Sequence, residues 1–271
     1  MARTLPRTHF NSSRLTRFLT ENALIDAPPV ADDLGQKLGD WLNFRQSIAL
    51  HGVLNLEQHP AAPQPAPHSS PFRRSGVMTT EALTRHVDKV RAQLEQSIAQ
   101  GVPSGSGLTR IDMPAAELNE PVEPKTAFEP YRRFYAAHQR QMEVSVQTLR
   151  SQVRGQLNKG AARLQQLASL DAAFGYIQSE REALVLGKVA KIFEKRFTQA
   201  LKIHIQQLCN AQAETTDKGA EAPSATAVSP LPWLLPLSQA MRSALLAELN
   251  TRLRPVLGLV EAFNPDTPKE Q

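Results

Sequence analysis

Apolar residues recur at three- and four-residue steps through most of this chain, and the longest such run carries Lys and Arg on its other side. Between about residues 128 and 158, Tyr131, Tyr135, His138, Met142, Val146, Leu149, Val153 and Leu157 share one face. The period is helical, since residues three or four apart stack on one side of an α-helix whereas a strand alternates every second residue. A second basic amphipathic stretch runs from about 180 to 210, and between the two Leu164, Leu167, Leu170, Phe174 and Ile177 again have helical spacing. Strand-type alternation is nowhere sustained.

The same period predicts the other elements. Ser12 or Ser13 caps a short helix through Leu15, Phe18 and Leu19, which Pro28-Pro29 ends. A second helix starts near Asp32 or Asp33 and places Leu34, Leu38, Trp41, Leu42, Ile48 and Ala49 on one side. After Thr79 and Thr80 comes a third, with Leu83, Val87, Val90, Leu94 and Ile98 in heptad-like register, closed by Gly101 and Pro103. The last carries Leu237, Met241, Leu245, Leu249, Leu253, Val256 and Val260, and Pro255 is expected to bend or end it.

Between the helices, PAAPQPAPHSSP at 60–71 cannot pack a core, and 101–130 supplies Gly, Ser, Pro and acids without period, save for one short turn around Ala115 to Leu118. The chain thus divides into an N-terminal helical segment (1–58), a Pro-rich linker (59–77), a single amphipathic helix (78–100), a linker (101–127), a helical bundle core (128–263) with a polar loop expected to be disordered at about 211–229, and a tail (264–271). The expected fold class is all-α: an antiparallel helical bundle or coiled coil with long helices, joined by Pro-rich and polar linkers. Helices of this kind also allow a homo-oligomer.

Composition sharpens the picture in one respect. The chain has 31 Lys+Arg against 26 Asp+Glu, yet between residues 130 and 207 there are 13 basic residues and 5 acidic ones, so the remainder is net acidic by three. At about 100° per residue, Lys188, Lys191, Lys195 and Lys202 fall within roughly 60° of one another, opposite Val189, Phe193, Phe197 and Ala200. Arg132, Arg133, Arg140, Arg150 and Arg154 occupy a similar sector of the earlier helix and read as exposed. Such a face either keeps the bundle soluble or docks an anionic partner: an acidic protein, an anionic membrane surface or nucleic acid. Basic faces without stacking aromatics argue against single-strand recognition.

Candidate chemistry is sparse. GVPSGSG at 101–107 has neither a dinucleotide fingerprint, a phosphate loop nor a nucleophile elbow. No histidine pair has metal-binding spacing, so neither metal nor cofactor is expected; His138 and His204 read as partly buried residues with local hydrogen bonds. Cys209 stands alone, so no intramolecular disulfide forms; it reads as a small apolar filler in a reducing compartment. Trp233, in LPWLLP, is either a packing anchor or an exposed docking element, and Trp41 a packing anchor. Apolar stretches are far too short for a membrane span, which needs about 20 residues. Arg3, Arg7, Arg14 and Arg17, with no acid before Glu21, resemble a mitochondrial transit peptide but equally suit a basic helix start. No arrangement commits the chain to a reaction, so a non-enzymatic scaffold is the leading expectation and non-specific nucleic-acid binding the alternative.

The order of Tyr131-Arg-Arg-Phe-Tyr135, LASLDAAF at 167–174, EKRF at 194–197 and LLAELNTRLRPVLGLVEAF at 245–263 resembles a domain-of-unknown-function family of proteobacterial helical proteins. Genes of that family sit near those for MotA/TolQ/ExbB-like inner-membrane proteins and OmpA/MotB-like peptidoglycan-binding proteins. The resemblance implies a cytoplasmic accessory, peripheral to the inner membrane, with a MotA/TolQ/ExbB-like complex as partner. It supplies no catalytic residues.

Overall fold

A computed structural model describes residues 14–21, 42–54, 78–101, 106–114, 123–216 and 232–264, and these form six α-helices with no strand among them. In chain order they are α1 (Arg14–Glu21), α2 (Phe44–Leu54), α3 (Thr80–Gln100), α4 (Pro124–Leu157), α5 (Ala162–Thr216) and α6 (Leu235–Phe263), the last entered through a 3-10 turn, Pro232–Leu234. The expected all-α bundle is what forms.

Cross-contacts fix the topology. His86 of α3 meets Gln152 of α4, and Ser97 meets Gln141, so α3 and α4 are antiparallel. Arg150 pairs with Asp171 and Gln139 reaches the Leu186 carbonyl, which makes α4 and α5 antiparallel around the tight turn 158–161. Arg252 meets Glu182 while Trp233 meets Phe197, so α6 runs against α5. Up-down-up-down order follows, with α1 laid on α6 and α2 on α5.

The core is the set of stripes read from the period. Tyr135, Met142, Leu149, Val153 and Leu157 of α4 face Leu186, Phe193, Phe197 and Leu201 of α5 and Met241, Leu245, Leu249 and Val256 of α6, all buried. Each such side chain contributes about 1.5–3 kcal/mol through burial. At one end, Phe128, Tyr131, Phe197 and Trp233 form a ring cluster with centroids 5.4 to 6.2 Å apart, tying the starts of α4 and α6 to α5. The start and stop of α3 are as expected: the Thr79 side chain accepts from the Ala82 amide, and Gly101 takes the positive φ of 94° that ends the helix.

Several boundaries differ from the expectation. The stretches 160–178 and 180–210 are one 55-residue helix that runs on to Thr216, six residues into the expected polar loop. Neither segment contains a residue that must break a helix; Leu186, Val189, Phe193, Phe197 and Leu201 keep one buried register, while Ile177, two and a half turns before Leu186, is buried on the other side of the helix. α4 begins at Pro124, inside the expected linker, because Pro at the first turn lacks only an amide that would be unpaired anyway. It then carries Pro130 internally, as α6 carries Pro255. An internal Pro costs about 3 kcal/mol, and burial of Phe128, Tyr131 and Phe134 around one, and of Leu253, Val256, Leu259 and Val260 around the other, offsets it. Nor is 106–114 a free linker, since Leu108, Ile111 and Met113 pack on the core and Gln141 donates to the Thr109 carbonyl.

In α2, Asn43 and Gln46 cap each other reciprocally, Asn43 Oδ1 accepting from the Gln46 amide at 2.8 Å and Gln46 Oε1 from the Asn43 amide at 3.0 Å. This box rotates Gln46 inward, and Ile48, expected on the core side, is exposed. The expected starts at Ser12 or Ser13 and at Asp32 or Asp33, Trp41, the Pro-rich linker 60–71, the turn at 115–118, the residues 217–229 of the polar loop and the tail 265–271 lie outside the described residues.

Candidate functional site

The lysine strip is the one basic feature that stands as expected. Val189, Phe193, Phe197 and Leu201 of α5 are at most 3% exposed, and the helical period then drives Lys188, Lys191, Lys195 and Lys202 outward, where all four are exposed. None of them makes an ion pair or hydrogen bond with a described residue. From Lys188 to Lys202 the strip is about 21 Å long at 1.5 Å per residue. Exposed Leu184 and Val185 precede it, and exposed Ile203 follows.

The arginine sector of α4 does not form one surface. Arg132 and Arg133 both fold back on the half-exposed Glu129, at 2.7 and 3.0 Å, and these two hydrogen bonds hold its carboxyl below its ordinary range. Arg140 is exposed without a partner among the described residues. Arg150 and Arg154 turn inward instead: Arg150 grips Asp171 of α5 with Nε at 2.8 Å and Nη2 at 2.5 Å, and Arg154 approaches the same carboxylate at 3.8 Å while donating to Ser151. The Arg150 guanidinium lies over Gly175, where a Cβ would stand at an ordinary contact distance of 3.4 Å. Reading Arg150 and Arg154 as free surface cations is therefore corrected; the period assigns a direction, but only the neighbouring helix supplies Asp171.

Trp233 packs within the chain. It is half-buried against Phe197 at 5.5 Å and stacks on His204 at 5.4 Å, with its indole N–H lacking an acceptor. His138 is buried with neither ring nitrogen hydrogen-bonded, contrary to the expected local bond; Phe134 lies edge-on at 4.7 Å. Burial, helped by the charge of Arg242, lowers its pKa to about 4, so the ring is neutral at pH 7. Cys209 is exposed rather than an apolar filler, because α5 at that point has passed the end of the packed core.

Sequence reasoning missed a buried polar network where α4, α5 and α6 meet. Glu248 is fully buried; its Oε2 accepts from Gln139 at 3.0 Å and Tyr135 at 3.4 Å, and its Oε1 from Arg252 Nε at 3.0 Å. Arg252 also faces Glu182 at 3.6 Å, which accepts from Gln178 at 3.0 Å. Burial raises the pKa of both Glu248 and Glu182 despite Arg252. Burial, then the adjacent Glu248 charge, pushes the Tyr135 phenol well above its ordinary value. A signal for this network was present, because Glu248 and Arg252 fall in the apolar stripe of α6 beside Leu245, Leu249 and Leu253, and charged residues at such positions are seldom buried unpaired.

Beside the network a polar cleft of about 230 Å³ opens between α4 and α5, lined among others by Glu143, Arg150, Arg154, Tyr176, Glu182 and Arg252. Among the described residues no group of three or more His, Cys, Asp or Glu could hold a metal ion, and no helix is long and apolar enough to cross a membrane.

Residues 1–265 match the model of the family described as protein of unknown function (DUF3348), and the chain belongs to that family. No curated protein and no solved structure matches.

Proposed function

We propose that this DUF3348 protein is a non-enzymatic helical scaffold or adaptor, a cytosolic accessory of an inner-membrane or envelope complex, and that the α5 lysine strip docks a protein partner. What carries the reading is that Lys188, Lys191, Lys195 and Lys202 are exposed together and unpaired, whereas most of the arginines of α4 find acids within the chain. Four cations aligned over about 21 Å suit an acidic helix or strand of a partner, and apolar Leu184, Val185 and Ile203 at the ends supply contact area that charge alone does not. The MotA/TolQ/ExbB-like complex implied by the family resemblance is the partner proposed. Non-specific nucleic-acid binding through the same lysines is the alternative reading.

Changing all four lysines to Glu tests both. Binding to partners from detergent-solubilised membranes is expected to be lost while helicity and melting stay nearly unchanged, because exposed charges contribute little to folding. Loss instead of a DNA interaction that weakens steeply with salt supports the alternative. Survival of partner binding in the quadruple variant overturns the docking assignment.

A further inference from the structure

We infer that a recess between α3 and α4 binds a small neutral aromatic molecule of two fused rings with one hydrogen-bonding group, the class to which indole belongs. Two polar bridges frame it. His86 of α3 meets Gln152 of α4 at 2.8 Å, and about three helical turns away, roughly 16 Å, the Ser97 hydroxyl donates to Gln141 of α4 at 3.2 Å. Gln141 also donates to the Thr109 carbonyl at 3.0 Å, which ties the 106–114 segment to the same end. At each bridge a long side chain spans the distance between the helices. Between the bridges, Val90 of α3 and Ser145 and Thr148 of α4 are short, and a recess of about 240 Å³ remains among them. It shares no residue with the lysine strip of α5.

The lining sets the class of ligand. Leu94 and Leu149, each 1% exposed, form the floor, Leu108 enters from the 106–114 segment, and Val144, 66% exposed, stands at the mouth. Among the described residues no Asp, Glu, Lys or Arg lines the recess, so nothing there compensates the desolvation of a charged ligand. Water is poorly held over such a floor, because leucine offers it no hydrogen bond, and an apolar body displaces it favourably. A cavity of about 150 Å³ holds one benzene ring, so a recess of about 240 Å³ has room for a second, fused ring. Fused rings also fill it without losing rotatable bonds on binding. One polar group on the ligand is matched as well. Gln93 and Ser145 are half-buried in the lining and make no hydrogen bond with a described residue, and each can donate or accept. The Thr148 hydroxyl, by contrast, is spent on the Val144 carbonyl at 2.8 Å.

Indole added to the full chain is the probe, followed by the methyl resonances of Leu94, Val144 and Leu149. Saturable shifts are expected with a Kd below about 1 mM, and nuclear Overhauser contacts from indole protons to these methyls place the ligand in the recess. Benzene, which lacks the second ring and the polar group, and indole-3-acetate, which adds a carboxylate, should each bind at least about tenfold more weakly. Thr148→Phe fills the recess from an exposed position on α4 and should weaken indole binding by at least about tenfold. Circular dichroism and thermal melting check that this variant folds, and the Overhauser contacts in the wild-type chain decide independently of it. Absence of a saturable shift up to about 5 mM indole, contacts to other methyls only, or undiminished binding by folded Thr148→Phe overturns the inference. Indole-3-acetate binding as tightly as indole also overturns it, since the site would then not select a neutral ligand.

Discussion

Arg150 of α4 and Asp171 of α5 form a two-pronged ion pair, 2.8 Å and 2.5 Å at its two hydrogen bonds, with side chains only 14% and 10% exposed. Because the pair is shielded by packed helices, removing one partner strands a charge. Asp171→Ala is expected to lower the free energy of unfolding by on the order of 2 to 4 kcal/mol, read from urea denaturation, whereas Arg132→Gln on the surface changes it by less than about 0.5 kcal/mol. Equal effects of the two substitutions would count against the pair.

Glu248 makes stability depend on pH in a definite sense. Its folded pKa is raised above the ordinary carboxyl value of 4.5, chiefly by burial, so the folded state holds a proton more readily than the unfolded chain does. That contribution is fully present below about pH 4.5 and is lost as pH rises through the raised folded pKa. Glu248→Gln removes the titration and should therefore gain stability relative to the wild type on going from pH 4.5 upward; parallel pH profiles of melting temperature would refute this. Glu248→Ala, which orphans Tyr135, Gln139 and Arg252 together, is expected to be destabilising at every pH.

His138 acts in the opposite direction. With a folded pKa of about 4 against 6.5 for the free side chain, its neutral form is stabilised, and that advantage is lost as pH falls from 6.5 through 4. Complete loss amounts to on the order of 3 kcal/mol. A titration of the imidazole resonances should leave His138 neutral at pH 5, and His138→Phe should flatten the acid limb of the stability curve. An ordinary titration midpoint near 6.5 would sink the assignment.

Leu149 and Val153 lie at the centre of the α4 stripe, 1% and 0% exposed. Replacing either by Asp places a carboxylate among apolar side chains and is expected to cost several kcal/mol, enough to abolish cooperative melting at neutral pH. Retained wild-type melting of both variants would place the stripe on the wrong face.

The sequence by itself determined which residues face the core. A 3.6-residue period depends only on the helix, so the stripe of α4 from Tyr131 to Leu157, the Thr79 cap, the Gly101 stop and the outward projection of Lys188 to Lys202 were all legible. Tertiary structure decided what lies opposite each residue, and hence every property that depends on a partner helix. Arg150 reads as a surface cation until α5 brings Asp171 and a glycine against it, and Glu248 reads as an interruption of an apolar stripe until Gln139, Tyr135 and Arg252 surround it. The continuity of α5 and the passage of α4 and α6 through Pro130 and Pro255 were decided there too, because local propensity disfavours an internal proline and only burial against neighbouring helices outweighs it.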